Sequence, residues 1–210
     1  MRASNGVAAP LALSFSALRE GPVTTTASPR EASGGFSDAQ VLALAREAPA
    51  EAFEILYATY KGRLYTFLLR MVAEPELADD LTHDVFAKAL KLLPTLSHDH
   101  HVLAWLYRVA SNAAIDHLRR RRRFAWLRMA SLRGKADEPH AADDHARIPE
   151  QAHVQEVLRT LPPENAAALL LHALEGYSYK EIAEIQGVSM TAVRSRIARA
   201  RSAFKQQYIE

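Results

Sequence analysis

Large apolar residues recur at three- and four-residue spacing along most of the chain beyond position 37. No stretch shows the strict alternation of a half-buried strand. Ser37 and Gln40 stand at capping-box spacing, which predicts a short helix running to about Ala48. Phe53, Leu56, Tyr57, Tyr60, Leu64, Phe67, Leu68 and Met71 then mark one apolar stripe of a long helix over 50–73, ended by Glu74-Pro75. A third helix, about 75–93, takes its core face from Leu77, Leu81, Val85, Phe86 and Leu92. Asp80, His83, Asp84 and Lys88 stay outside, and Pro94 stops it. A polar loop at 96–101 leads into a fourth helix over about 102–123, buried along Leu106, Val109, Ala110 and Ala113.

Periodicity is lost from 124 to 149, where Gly134, Pro139, Pro149 and mixed charge predict a linker. Val154, Val157, Leu158 and Leu161 open a second unit, and Pro162-Pro163 end its first helix. A helix over about 164–175 follows, with Gly176 placed as a C-cap glycine. Ser178 and Glu181 form another capping-box pair and start a short helix that runs to Gln186. After the turn Gly187-Val188-Ser189, a last helix spans about 190–208. The fold class is therefore all-α, with two small helical domains at 37–123 and 150–210 joined by a linker at 124–149. Residues 1–36 are rich in Ser, Thr, Ala, Gly and Pro and predict a disordered tail. Arg2 precedes a mildly apolar run from Val7 to Leu18, but Pro10, Ser14 and Ser16 interrupt it and no cleavage site follows. A tail, or a start codon placed too early, is preferred to a signal peptide.

Composition changes this picture in three respects. The absence of cysteine excludes a disulfide framework and a thiolate zinc site, and suits a reducing cytoplasm. No apolar run reaches the ~18 residues of a membrane span, so no membrane insertion is expected. The net charge of +2 hides two basic clusters. One is the unbroken run Arg119 to Arg123, and the other is Arg194, Arg196, Arg199, Arg201 and Lys205. Either alone reads as a solvated helix face. Two clusters, each beside an organised motif, point to polyanion contact at two places.

The second cluster lies in a helix, glycine turn and helix over 178–206, the order of a helix-turn-helix. Val193, Ile197, Ala200, Phe204 and Tyr208 share its packing face. At ~100° per residue, Thr191, Ser195, Ala198 and Ser202 centre on the opposite face, flanked by Arg194 and Arg199. A small polar centre between cations suits entry into a major groove. Thr191, Arg194, Ser195 and Arg199 are the candidate base-reading residues, while Arg201 and Lys205 suit phosphates. In the fourth helix, Trp105, Asn112, Asp116, Arg119 and Arg123 fall on one line within about 60°. An aromatic or amide can receive an unstacked base there while arginines hold the backbone. The plainer reading places Trp105 in the core.

The run ADDLTHDVFAKAL from Ala78 is similar to region 2.2 of bacterial sigma factors. AWLYRVASNAAIDHLRRRRR from Ala104 resembles regions 2.3 and 2.4 of the extracytoplasmic-function (ECF) subfamily, and the run from Leu161 resembles its domain 4. The resemblance covers about 38–123 and 150–206. It implies a factor that binds core RNA polymerase (the β′ coiled coil and the β subunit) and opens promoter DNA, without enzymatic activity of its own or a cofactor. Asp80, His83 and Asp84 would dock on β′. Asn112, Asp116, Arg119, Arg120 and Arg123, with the loop 96–101, would capture and melt the −10 element. Thr191, Arg194, Ser195 and Arg199 would read the −35 element. The family's usual regulator, an anti-sigma factor, is the further partner implied. Two departures concern His83, where the family often has Gln, and the loop, which lacks the family's aromatic and small residues.

Three alternatives remain at this stage. A plain helix-turn-helix regulator would bind duplex DNA without polymerase. A sigma-like decoy would only capture an anti-sigma factor. A metal enzyme built on His98, Asp99, His100 and His101 would have ligands but no general base or nucleophile beside them.

Overall fold

The protein is described by a computed structural model covering residues 37–97, 101–131 and 149–207. Four helices form the first unit: α1 (Asp38–Glu47), α2 (Pro49–Val72), α3 (Pro75–Leu92) and α4 (Val102–Ser131), with a 3₁₀ turn, Leu93–Thr95, after α3. Four more form the second: α5 (Pro149–Thr160), α6 (Pro163–Ala173), α7 (Tyr179–Gln186) and α8 (Met190–Gln207). There is no strand among the described residues.

Local chemistry accounts for most helix ends. The Ser37 and Ser178 side chains accept from the backbone N–H groups of Gln40 and Glu181, and those residues' side chains reach back to the cap N–H. Proline opens α2, α3 and α6, where its missing N–H leaves no helical bond unmade. Gly187 ends α7 at φ 64°, and the Val188 N–H reaches the Ala183 carbonyl at 3.0 Å, closing the helix with a left-handed cap. Gly176 sits at φ 72°, which lets the Tyr177 N–H turn back to the Leu171 carbonyl at 3.1 Å.

In the first unit, α2 packs against α1, α3 and α4. Its stripe residues Leu56, Tyr60, Leu64, Phe67, Leu68 and Met71 are buried, and Phe53, Tyr57 and Phe86 form an aromatic cluster with centroids 4.9–6.2 Å apart. In the second unit, α8 packs on α6 and α7 through Val193, Ile197, Ala200 and Phe204. The two units also pack on each other. α4 meets α6 and α7, α2 meets α5 and α6, and one buried apolar cluster runs through both.

Two expectations need correction. α4 continues past Arg123 to Ser131, eight residues into the segment assigned to the linker. No Gly or Pro stands between 124 and 131, so nothing stops it there. Leu92 is 45% exposed, not part of the core. The chain tightens into the 3₁₀ turn at this point, and Leu93 is buried in its place. The tail 1–36, the rest of the linker at 132–148 and Tyr208 lie outside the described residues.

Candidate nucleic-acid interface

α8 owes its orientation to its apolar face. With Val193, Ile197, Ala200 and Phe204 buried, Thr191, Arg194, Ser195, Ala198, Arg199 and Ser202 are all left exposed. The Ser189 hydroxyl accepts from the Ala192 N–H at 3.2 Å and so fixes the entry into α8, a cap that the turn sequence had not been credited with. Arg196 turns away from this face and donates to Gln186 Oε1 at 2.6 Å, tying α8 to α7. Arg194 and Arg199 have no partner among the described residues. The outward surface is thus small at its centre and cationic at its edges, the shape a major groove admits. Behind it, between α6 and α8, the His172 ring donates from Nδ1 to the Tyr177 carbonyl at 2.9 Å. Burial, reinforced by Arg201, pushes the His172 pKa down despite that hydrogen bond.

α4 presents Asn112, Asp116, Arg119 and Arg123 on its exposed side. Trp105, on the same line in sequence, is only partly buried and packs against the core. The five arginines divide by partner. Arg119 pairs with Glu164 at the start of α6. Arg121 pairs with Glu74 ahead of α3. Arg122 donates to the carbonyls of Arg159 at 3.0 Å and Leu161 at 2.6 Å, satisfying the C-terminal end of α5. Arg120 and Arg123 have no partner among the described residues.

Beneath this surface lies a junction that the sequence did not announce. Arg63 of α2 bonds Glu175, after α6, at 2.8 Å, and Gln155 of α5 donates to the Arg70 carbonyl at 2.8 Å. Tyr107 of α4 stands edge-on between Phe67 and Tyr177, with centroids at 5.2 and 5.7 Å. Its hydroxyl pKa is driven well above the ordinary phenolic value, first by burial and then by the Glu175 charge. Arg63 and Glu175 are 112 residues apart, and no periodicity links them.

A third surface is the outer face of α3, where Asp80, His83 and Asp84 are exposed. The His83 ring donates to the Asp79 carbonyl at 2.9 Å and stands 3.5 Å from the Asp79 carboxylate, so it lies back along its own helix. Of the loop 96–101, residues 98–100 are outside the described residues, including His98, Asp99 and His100. Its near end is pinned by Arg46, which donates to the carbonyls of Pro94 at 3.3 Å and Leu96 at 2.5 Å. His101 meets Asp38 at 3.4 Å at the far end. No group of metal-ligating side chains forms among the described residues, and no helix there is long and apolar enough to cross a membrane.

Comparison with known proteins agrees with the two-unit division. Residues 56–124 match the family Sigma-70 region 2, and residues 152–204 match Sigma-70, region 4. The chain is 32% identical over 154 residues to the RNA polymerase sigma factor CarQ of Myxococcus xanthus, covering 73% of this chain and 87% of that one. It is 31% identical to the ECF RNA polymerase sigma factor SigM of Mycobacterium tuberculosis, with 79% and 82% covered. It is also 31% identical to the ECF RNA polymerase sigma-E factor of Escherichia coli, with 73% and 84% covered. The fold is similar to that of CnrH, solved in complex with the cytosolic domain of CnrY, at a TM-score of 0.62 and 27% identity, covering 81% of this chain and 96% of that one. Two region matches in family order, on two helical units that each expose an arginine-bearing helix, place this chain in the sigma-70 family as an ECF sigma factor.

Proposed function

We propose that this sigma factor divides promoter recognition between its units. Residues 37–131 bind core polymerase and open the −10 element, and residues 149–210 read the −35 element. The observation that carries this reading is the outward face of α8, where Arg194 and Arg199 flank a small polar centre without being used by the fold. Thr191, Arg194, Ser195 and Arg199 contact −35 base edges. Asn112 and Asp116 take a base extruded from the −10 element, while Arg119, Arg120 and Arg123 hold phosphates. Asp80, His83 and Asp84 meet the β′ coiled coil, and the β subunit completes the polymerase contact. The factor acts in the cytoplasm and performs no covalent chemistry. Opening a base pair costs a few kcal/mol, and the factor meets that cost by binding the opened strand more tightly than the duplex. CnrH is solved with a protein partner, the cytosolic domain of CnrY, and the sigma factor RpoE of Bartonella quintana with the anti-sigma factor NepR; an anti-sigma protein is the regulator proposed for this chain.

Simultaneous reading has a geometric requirement. Positions 25 base pairs apart lie roughly 85 Å apart on straight duplex at ~3.4 Å per base pair. α4 and α8 are separated by one helix layer, roughly 20 Å at ~8–10 Å per packed pair. The Arg119–Glu164 pair and the Arg122 bonds must therefore break when both elements are engaged.

Run-off transcription with purified core polymerase on pooled genomic fragments tests the reading. Discrete transcripts that require this chain are expected. Silence with polymerase, together with a shift of duplex DNA by the chain alone, would favour a plain regulator. Silence with capture of only a protein partner would favour a decoy.

A further inference from the structure

The extension of α4 beyond Arg123 carries an exposed surface for which neither the fold nor the proposed contacts have a use. Phe124 is 64% exposed and Trp126 67%. Exposure on this scale leaves a large ring in water and contributes nothing to folding.

The position of Trp126 on the helix is specific. Asn112, Arg119 and Trp126 are spaced by seven residues, and seven steps of ~100° fall only 20° short of two turns. With Asp116 and Arg123 between them, the five residues stay within about 80° of one another. They form a line ~21 Å long at ~1.5 Å rise per residue. Phe124 lies about 120° round from Asn112 and does not share the line. Trp105, the aromatic at the other end, is drawn into packing with the core. An exposed aromatic on this line is therefore present at the Arg end, on a stretch that the sequence reading had assigned to the linker.

The surrounding charge identifies the occupant. Five arginines precede Phe124 without interruption, Arg128 follows, and no acidic residue stands between Asp116 and Ser131. Glu164 and Glu74 pair with Arg119 and Arg121, which leaves Arg120 and Arg123 for a polyanion, and a polyanion with flat apolar faces satisfies the indole as well. Single-stranded DNA is that ligand, since an unstacked base offers its π-face to an aromatic side chain whatever its identity.

We propose that Trp126 is a base-stacking residue. It receives an unpaired base of the same strand whose phosphates are held by Arg119, Arg120 and Arg123, about six stacked base steps from the base held at Asn112, at ~3.4 Å per step. The inference rests on the promoter-opening reading above. It adds a second base contact at the opposite end of the line. In the packed arrangement Arg119 is held by Glu164, so the line is complete only when the second unit has left α4. The test therefore uses holoenzyme.

The promoter recovered by run-off transcription is prepared as forked DNA, with 2-aminopurine placed at successive non-template positions. Wild-type holoenzyme should brighten one position, where the base held at Asn112 leaves the stack, and quench another about six steps away, dependent on Trp126. Trp126→Ala should abolish only the quench and shorten the open-complex lifetime about tenfold, in line with the usual strength of base–aromatic stacking. Trp126→Phe should keep most of both effects. If Trp126→Ala leaves the fluorescence at every position as in wild type while Asn112→Ala acts at its own position, the stacking assignment is overturned and the promoter reading stands. The assignment is equally overturned if Trp126→Ala weakens assembly with core polymerase and leaves the quench intact, which would make Trp126 a protein contact. If the holoenzyme opens no promoter, both fall together.

Discussion

α4 and α8 bear the same chemistry in sequence, a dense set of arginines on a helix, yet the fold treats them differently. On α8 the outward-facing Arg194 and Arg199 have no partner among the described residues, and Arg196, which points aside, is tied to α7. On α4 three of five consecutive arginines are engaged. Arg119 and Arg122 hold the second unit, and Arg121 holds the start of α3. A run of five arginines is thus not five equal phosphate contacts. At ~100° per residue successive side chains fan around the helix, and whatever packs on each side decides which cations remain for DNA. In this arrangement the outer face of α8 is open, and that of α4 is partly closed by the unit that carries α8.

The largest effect should come from where the two units share a core. Tyr107 stands between Phe67 and Tyr177, so Tyr107→Ala should cost about 3–5 kcal/mol, as for other large aromatic truncations. Because one apolar cluster runs through both units, denaturant should unfold them in one transition shifted to lower concentration. Two transitions, only one of them moved, would show that the units fold independently.

The next effect separates neighbouring arginines. Arg122→Ala removes two bonds to the end of α5 and should cost about 1 kcal/mol, less than is usual for a charged donor because the guanidinium is accessible to water. Arg120→Ala should change stability by no more than ~0.5 kcal/mol. Equal losses, measured by the same denaturant titration, would erase the distinction drawn here. DNA binding should rank them in the opposite order. The salt dependence of fork binding by holoenzyme should fall by about 0.7 to 0.9 in logarithmic slope for each of Arg120→Ala and Arg123→Ala. An unchanged slope would remove them from the interface.

The smallest effect concerns pH and the second unit. Burial lowers the folded-state pKa of His172. Its unfolded form, with an ordinary value of about 6.5, therefore takes up a proton first as pH falls. Stability present above about 6.5 should be lost progressively below it, down to the lowered folded value. His172→Gln should flatten the dependence of the melting temperature between pH 7.5 and 5.5. An unaltered slope in that variant would assign the effect to other groups.

How far these features were legible follows from their range. Ser178 with Glu181, and Val193 through Phe204, are local patterns whose meaning is fixed within one or two turns, and each appears in place. The end of α4 was misplaced because an arginine run and a loss of apolar periodicity resemble a linker, although the residues that follow are adequate helix formers. Leu92 was misassigned because the buried row at the end of α3 runs through Phe86, Ala89 and Leu93, which leaves Leu92 beside it on the outside. Arg63–Glu175 and the partners of Arg119 and Arg122 depend on how two units dock, and side chains far apart in sequence carry no mark of it. Of the candidate site, the exposed faces of α3, α4 and α8 were therefore readable, while the division within the arginine run was not.

The central claim is that α8 and α4 read different promoter elements, and selection from a promoter library randomised at both elements tests it most directly. Holoenzymes carrying wild-type chain, Arg194→Ala or Asn112→Ala would each select templates from the library by transcription, and the survivors would be sequenced. Arg194→Ala should relax preference at the −35 element alone, with discrimination at its contacted base pair falling by about 1–3 kcal/mol. Asn112→Ala should relax preference at the −10 element alone. If either variant loosened both elements to the same degree, the division of labour would be wrong.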